Sequence, residues 1–584
     1  MADTTTGDAR APRSLILLAS AAAFGLLALF GWLGAPEGHS YVNNMPWYAA
    51  FEAAFYDGAP YPRRLDGLWF GLGGLDFFFY GPLPFWTAAL LGRPLCVGCD
   101  TGTAFALGGA WLIIFSAPAF YLLARRWMGP WAAAAGAAVY ALAPYHLMMD
   151  WFVRQAAGEM AAYIFFPLMA HFFTRLADDG RGGRGFALAF GGMILCHLPS
   201  ALLAVHVMGA LFLFIAWTKR DDRRAVVLLG ARAAAWGAAG AAATALYWMP
   251  AVALLNDVSP QVLFGPYYVP SNWFFFDGAP EPDPKTTIPI RTMLVYALVA
   301  CGAALAVGAA KIACLRLWIA GPLLVSVFLM SPLSALIWEH WIIASVQFPW
   351  RMMIFVDLPL ALSAGYLVSA LAETWREGGP LRLRAGAAAT AGAFALFTAY
   401  ASVWPYAMET IRDGRALDGA YKQGGAIEYF PEEMMSEATA IVKAGGNFEF
   451  DTWRGVVGDF YGEAETASAH LALDRRNPRV LRLALPAGET ALIPIPYWKH
   501  WRARDLGSGA PIELAASTPA GMIEIAAVAE ARQIQIYLPA HWSERVGGLL
   551  SWLALAGLFA GPLRAQLAHR RRAKAFATNS GQAA

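Results

Sequence analysis

Apolar runs of about 20 residues, the length a helix needs to cross a hydrocarbon core of about 30 Å, recur along the chain. Every second one ends at or near Arg or Lys. The first, 14–34, follows Arg10 and Arg13 and is too long for a signal-peptide core, so it reads as an uncleaved anchor. The run 103–124 ends at Arg125 and Arg126, 130–144 returns, and 158–176 leads back to Arg175, Arg181 and Arg184. Runs 186–196 and 200–217 pair about His197-Leu198-Pro199, with Lys219, Arg220, Arg223 and Arg224 behind them. The alternation continues through 233–250, 292–310, 317–330, 352–371 and 385–400, and 546–563 brings the tail to Arg570, Arg571, Arg572 and Lys574. Because short cytoplasmic loops carry the excess of positive charge, the pattern orients about 12 spans with both termini cytoplasmic. The polar loops near Gly38, Tyr145, His197, Asn256 and Leu333 then share the outer face.

Between residues 402 and 545 the period changes. Leu481, Leu483 and Leu485 alternate, as do Ile523 and Ile525, and Ile534 and Ile536, punctuated by Pro486-Ala487-Gly488 and Pro519-Ala520-Gly521. Period-2 alternation predicts half-buried strands in a small β-sandwich on the outer surface. The expected fold is therefore an all-α polytopic membrane protein with a C-terminal β-rich domain. Residues 1–401 form the transmembrane module with a first outer loop at 35–102; 402–545 form the β-rich domain, and 546–584 the final span and basic tail.

Composition agrees: only 14% of the 584 residues are charged and 58% are hydrophobic, against about 25% charged in soluble proteins. The net charge of +2 is dispersed in short clusters and gives no face for nucleic acid. Of five cysteines, Cys196, Cys301 and Cys314 fall in or beside apolar runs and read as packing residues. Cys96 and Cys99 form an outer CxxC for which a local disulfide, plain small residues and a redox pair stay open.

The first outer loop concentrates polar chemistry. Trp47, Tyr48, Phe51 and Phe55 recur at helical spacing between the start signals Asn44 and Pro46 and the stop Gly58, which predicts a short interfacial helix. A loop with Asp57, Arg63, Arg64, Asp66 and Asp76 follows, then a second apolar piece, 81–92, too short to span and expected to lie in the membrane plane. Together they predict a polar shelf for a lipid head group. A second constellation, Pro144 to Glu159, places Asp150, Arg154 and Glu159 at a helix entrance. The i,i+4 pair Asp150 and Arg154 suits either a salt bridge anchoring the helix end or a guanidinium fork for phosphate. Gln347-Phe348-Pro349-Trp350-Arg351 opens a later span on the outer side, where Arg351 suits a phosphate contact or a snorkelling anchor. His197 reads as a core histidine or a ligand, and His39 heads the shelf. There is no phosphate-binding Walker loop, dinucleotide fingerprint or HExxH, which disfavours a soluble nucleotide donor.

With these pieces aligned, the chain resembles a bacterial membrane-protein family named for a 6-pyruvoyl-tetrahydropterin synthase-related domain, similar to GT-C glycosyltransferases. The resemblance rests on GHS at 38–40, AFYDGAPYPRRL, FFFYGPLPFW with Tyr80, APYHLMMDWFVRQAAGEMAA, CHLPSAL, YWMPAV, QFPWRMM, IEYFP at 427–431 and WSERVGGLLSW. It implies a polyprenyl-phosphate-linked sugar as donor and an acidic residue in the first loop as base or metal ligand. Relatives typically carry Gly-His-Asp where this chain has Gly38-His39-Ser40, so either Glu37, Glu52, Asp57, Asp66 or another carboxylate takes over, or the transferase activity is lost.

The expected activity is transfer of a sugar from a polyprenyl-phosphate donor to an envelope glycan or lipid acceptor on the periplasmic face of the bacterial inner membrane. The candidate catalytic residues are Asp150, Asp66, Asp57, Glu52, Glu37 and His39, with Arg154, Arg351, Arg63, Arg64 and Gln347 on the lipid phosphate and Glu159, His197 and Tyr80 as other substrate contacts. A divalent cation such as Mg or Mn suits carboxylate and phosphate oxygens, but no ligand set is determined. The alternative is a non-catalytic protein that positions glycan or lipid-linked intermediates. A transporter fits less well, because the polar groups gather at the outer ends of the spans rather than at mid-membrane.

Overall fold

The computed structural model describes residues 10–68, 73–258, 268–276, 283–340, 342–377, 381–414, 472–473, 477, 479–518 and 521–560. Its first helix, α1 (Arg10–Leu33), is an apolar rod with most of its surface exposed, joined to the rest through Phe30, whose ring lies 5.6 Å from that of Trp151. Helix α2 (Tyr41–Tyr56) is not a surface element. Tyr41, Asn44, Met45, Pro46, Trp47, Tyr48, Ala50, Phe51 and Glu52 are all buried, and Pro46, expected to open the helix, lies inside it. With apolar residues all round rather than in one stripe, such a helix is enclosed by protein.

Helix α3 (Leu83–Thr87) continues into a π-helical turn (Ala88–Gly92) and a 3-10 turn (Arg93–Leu95). This stretch, expected to lie in the membrane plane, packs along α4 (Thr101–Ala124), where Gly108 allows it: a Cβ there would sit 2.6 Å from the Ala88 Cα. Asp100 caps α4 by accepting from the Thr103 N–H at 2.9 Å.

The bundle continues through α5 (Pro130–Ala141), a π-helix at Pro144–Val153, α6 (Ala157–Ala162), α7 (Phe165–Asp179), α8 (Gly183–Cys196), α9 (Leu198–Thr218), α10 (Arg223–Ala243) and α11 (Ala245–Ala253). After these come α12 (Pro284–Val307), α13 (Ala313–Leu329), α14 (Ala335–His340), α15 (Met353–Glu377) and α16 (Leu381–Gly414). Helix α5 packs on α15, α12 on α16 and α8 on α10. Among the described residues nine helical segments are long and apolar enough to cross a membrane, or ten if α13 and the segment Pro332–Glu339, bent by 80°, count as one span. The expected count of about 12 is therefore not reached. Helix α8 has 14 residues, fewer than the roughly 20 needed. The last expected run, 546–563, extends past the described residues as part of a helix over 542–560.

The period-2 segments are strands. One sheet has the order β1-β2-β8-β4-β5 and the other β3-β7-β6, with every recorded pairing antiparallel. The strands are β1 (Ala472–Leu473), β2 (Val480–Leu485), β3 (Ala491–Pro496), β4 (Arg502–Asp505), β5 (Pro511–Ile512), β6 (Ala515–Ala516), β7 (Met522–Ile525) and β8 (Arg532–Tyr537). Leu481 pairs with Ile536 and Leu483 with Ile534, so the predicted apolar alternates form one buried face. Helix α16 runs on to Gly414, past the expected boundary at 401, and residues 415–471, with the IEYFP motif, lie outside the described residues. The helix over 542–560 returns beside α8 and α10, packing Leu558, Ala554 and Leu555 on Ala187, Ala243 and Trp236.

Candidate functional site

The π-helix Pro144–Val153 ends in the polar cluster. Asp150 and Glu159 are buried on either side of Arg154: Arg154 Nη1 donates to Asp150 Oδ1 at 2.5 Å, and Nη2 donates to Glu159 Oε2 at 3.0 Å. Tyr145 ties the group together, donating its hydroxyl to Glu159 Oε1 at 2.8 Å and accepting from Arg154 at 3.1 Å. Arg351, more than 190 positions away, brings its Nε to 3.7 Å from the same Glu159 oxygen, and its Nη1 donates to the Val346 carbonyl at 2.8 Å. The two guanidiniums lie over aromatic faces, Arg154 at 4.4 Å from the Trp350 ring and Arg351 at 5.0 Å from Phe348. Gln347 is buried beside them at φ +68°.

Two charges of each sign balance the cluster, but not every polar atom in it is matched. Arg351 Nε, Trp350 Nε1 and Asp150 Oδ2 are buried and form no hydrogen bond with the described residues. Two donors and one acceptor left so are costly in a protein interior unless something else takes them up.

The start of the first loop is clamped onto this cluster. His39 N–H donates to the Val153 carbonyl at 3.0 Å and Ser40 N–H to the Arg154 carbonyl at 2.8 Å. Only glycine fits at 38, where a Cβ would lie 2.7 Å from the Gln155 nitrogen. Gln155 itself holds φ +51°, a left-handed conformation unusual for a side-chain-bearing residue. It is fixed by its side chain donating to Pro36 O at 2.8 Å and by Asn44 donating to its carbonyl. Strained backbone of this kind collects at functional sites. The His39 residue is exposed at the head of the loop. Glu37 is half-buried, its N–H bonded to the Thr410 carbonyl at 3.0 Å. His197 and Tyr80 meet at Gly158, whose Cβ would lie 3.4 Å from each. His197 is paired with Ser200 at 2.8 Å; burial foremost, then Arg351, brings it down to about 3, so it is neutral at physiological pH.

The expected shelf is not a shelf. Arg63 pairs with Glu544 at 3.0 Å and donates to the Leu246 carbonyl at 2.6 Å, while Arg64 pairs with Asp66 and lies 5.4 Å from the Trp501 ring. Both arginines are buried, and burial lowers Arg64 to about 9. The C-terminal segment supplies Glu544 and Trp501 to cover them. Asp76 accepts from Trp47 Nε1 at 2.7 Å. Glu52 accepts from Tyr48 at 2.6 Å and from Arg93 Nε at 2.6 Å. Asp57 is exposed at the C-cap of α2. These carboxylates occupy separate places, away from the recorded partners of Arg154. Among the described residues no three His, Cys, Asp or Glu side chains gather as a metal site. Cys96 and Cys99 form a disulfide.

Several participants carry no sequence signal. Tyr145 and Trp350 join the cluster through contacts that no local spacing marks. Asp357 lies inside an apolar run; it is buried in α15, accepts from the Tyr163 hydroxyl at 2.8 Å and pairs with no described cation. An acid at that depth in a span is the signal available to find it.

No family model matches the chain and no curated protein matches it, so the family suggested by the motifs is not supported. Solved structures do show similarity. The mycobacterial arabinofuranosyltransferase AftD is 16% identical with a TM-score of 0.40, covering 74% of this chain, which spans only 29% of AftD. The oligosaccharyltransferase AglB of Archaeoglobus fulgidus, in complex with an inhibitory peptide and a dolichol-phosphate, is 13% identical with a TM-score of 0.39, over 73% of this chain and 57% of its own. ArnT of Cupriavidus metallidurans, bound to undecaprenyl phosphate, is 14% identical with a TM-score of 0.33, over 77% of this chain and 79% of its own. At these scores the likeness carries no assignment of residues or activity.

Proposed function

We propose that the chain is a membrane glycosyltransferase that takes a sugar from a polyprenyl-phosphate donor, with Arg154 and Arg351 on the phosphate and Asp150 as base. One observation carries this reading: two guanidiniums from distant parts of the chain meet on one carboxylate at the ends of apolar spans, beside two unmatched donors and one unmatched carboxylate oxygen. Donors beside cations suit an anion with several oxygens, and a guanidinium fork suits phosphate. An anion seated at the end of a span is readily presented by a lipid. Asp150 Oδ2 accepts the proton of an acceptor hydroxyl as that oxygen bonds to the anomeric carbon; the bond from the sugar to the phosphate oxygen breaks, and its electron pair leaves with the phosphate. Arg154 and Arg351 stabilise the charge that develops there. In this reading the face is periplasmic on an inner membrane, which the basic clusters in the alternate loops support, and the acceptor is an envelope glycan or lipid.

A second reading, in which the protein positions a lipid-linked glycan without turning it over, is favoured by Ser40 at the head of the first loop, bonded through its backbone to Arg154. One experiment separates them. Purified protein given a radiolabelled polyprenyl-phosphate sugar and envelope glycan transfers label, and Arg351→Ala lowers the rate by roughly 10²-fold or more. Donor binding without turnover favours the second reading, and transfer untouched by Arg351→Ala overturns the role of that arginine.

A further inference from the structure

The seat between the two arginines is filled by Glu159. Its Oε2 lies 3.0 Å from Arg154 Nη2 and 3.7 Å from Arg351 Nε, and its Oε1 accepts from Tyr145 at 2.8 Å. The match is incomplete on the Arg351 side, where Nε is buried without a hydrogen bond. A carboxylate has two oxygens, and here one is committed to Tyr145 and the other to Arg154. A phosphate monoester carries three unesterified oxygens and a larger charge, and a diester spreads its single charge over a tetrahedral group; either can reach both guanidiniums once the carboxylate moves aside. Glu159 sits in α6, the first turns of the apolar helical segment Ala157–Asp179, four residues after the left-handed Gln155.

We propose that Glu159 is a placeholder for the phosphate group: in the unliganded protein its carboxylate occupies the Arg154–Arg351 seat, and an incoming phosphate monoester or diester displaces it from Arg351. This rests on the reading above, that these arginines hold a phosphate. The carboxylate keeps the two buried cations neutralised between turnovers, where an unmatched buried guanidinium would be strongly destabilising. It also competes with the ligand. Phosphate binding to the native protein therefore works against a like charge in the same seat.

The test is ligand-dependent thermal unfolding of the full chain in detergent, since a ligand that binds the folded state raises its stability in proportion to the logarithm of concentration over Kd. Native protein, Glu159→Gln and Arg351→Ala are each titrated with inorganic phosphate, with a short-chain prenyl phosphate and with phosphatidylglycerol. Glu159→Gln is expected to melt lower without ligand and to bind phosphate about tenfold more tightly or better, the scale of removing one close like charge. A response to inorganic phosphate identifies the free anion as sufficient, and a response confined to either lipid identifies a head group. If Glu159→Gln binds no more tightly than the native protein while Arg351→Ala still abolishes binding, the placeholder is wrong and the phosphate reading stands. If no phosphate stabilises any of the three proteins, both are wrong. Should Glu159→Gln fail to fold, Glu159→Asp keeps the charge but draws it back from Arg351; tighter binding supports the placeholder, and unchanged or weaker binding overturns it.

Discussion

Two arginine pairs in this molecule look alike in the sequence and differ in what surrounds them. Arg63 and Arg64 stand in the first loop among carboxylates; Arg154 and Arg351 are nearly 200 positions apart. In the structure the first pair is closed off. Arg63 has Glu544 and a backbone carbonyl, Glu544 is shared with Arg479 at 2.6 Å, and the rings of Tyr61, Phe78 and Trp501 cover the guanidiniums. The second pair shares one carboxylate between two cations and leaves neighbouring polar atoms unmatched. The lesson is that local charge density marks a docking joint as readily as a binding site; buried unmatched atoms occur at both, Arg63 Nη1 among them, and what differs is the reach of the second arginine, 3.7 Å from Arg351 Nε to Glu159 against 3.0 Å from Arg63 Nε to Glu544.

The largest expected difference lies in the cost of removing one arginine. Arg154→Ala strands two buried carboxylates and should destabilise the protein by about 3–5 kcal/mol. Arg63→Ala leaves Glu544 paired with Arg479 and should cost roughly 1–2 kcal/mol, since the remaining ion pair is intact. Equal losses in denaturation experiments would erase the distinction.

A smaller effect sharpens it from the other side. Burial pushes the Glu544 carboxyl up, but Arg479 and Arg63 more than offset it, so it lies below its ordinary 4.5. A carboxyl depressed in the folded state contributes stability that is complete above its unfolded value and is lost as pH falls through the folded one. The joint should therefore hold through mild acid and loosen only below pH 4.5, seen as faster proteolysis between the bundle and the β-rich domain. With Glu544→Gln that pH dependence should shrink; an unchanged profile would remove Glu544 from the joint.

Much of this was legible in the sequence and some could not be. The i,i+4 spacing of Asp150 and Arg154 gave one of the two expected outcomes, an ion pair, with Glu159 joining it from the next helix, and the alternation of Leu481, Leu483 and Leu485 gave a strand with that face buried. Helix α2 misled because its aromatics resemble an interfacial stripe, and only the surrounding helices decide that it is enclosed. The fate of Arg63 depended on Glu544, a contact that spans most of the chain, and no local pattern encodes such a pairing. The meeting of Arg154 with Arg351 was equally non-local, although each stood at the outer end of a predicted span. The break between α10 and α11 at Thr244, which shifts a span towards Arg223, follows from packing rather than hydropathy.

The most direct measurement is binding of a short-chain prenyl phosphate to the native protein, to Arg351→Ala and to Arg63→Ala, followed by native mass spectrometry in detergent. The account predicts that Arg351→Ala loses the lipid while Arg63→Ala, once folded, keeps it at native occupancy. Loss of the lipid in Arg63→Ala with full retention in Arg351→Ala would contradict it and return the phosphate to the first loop.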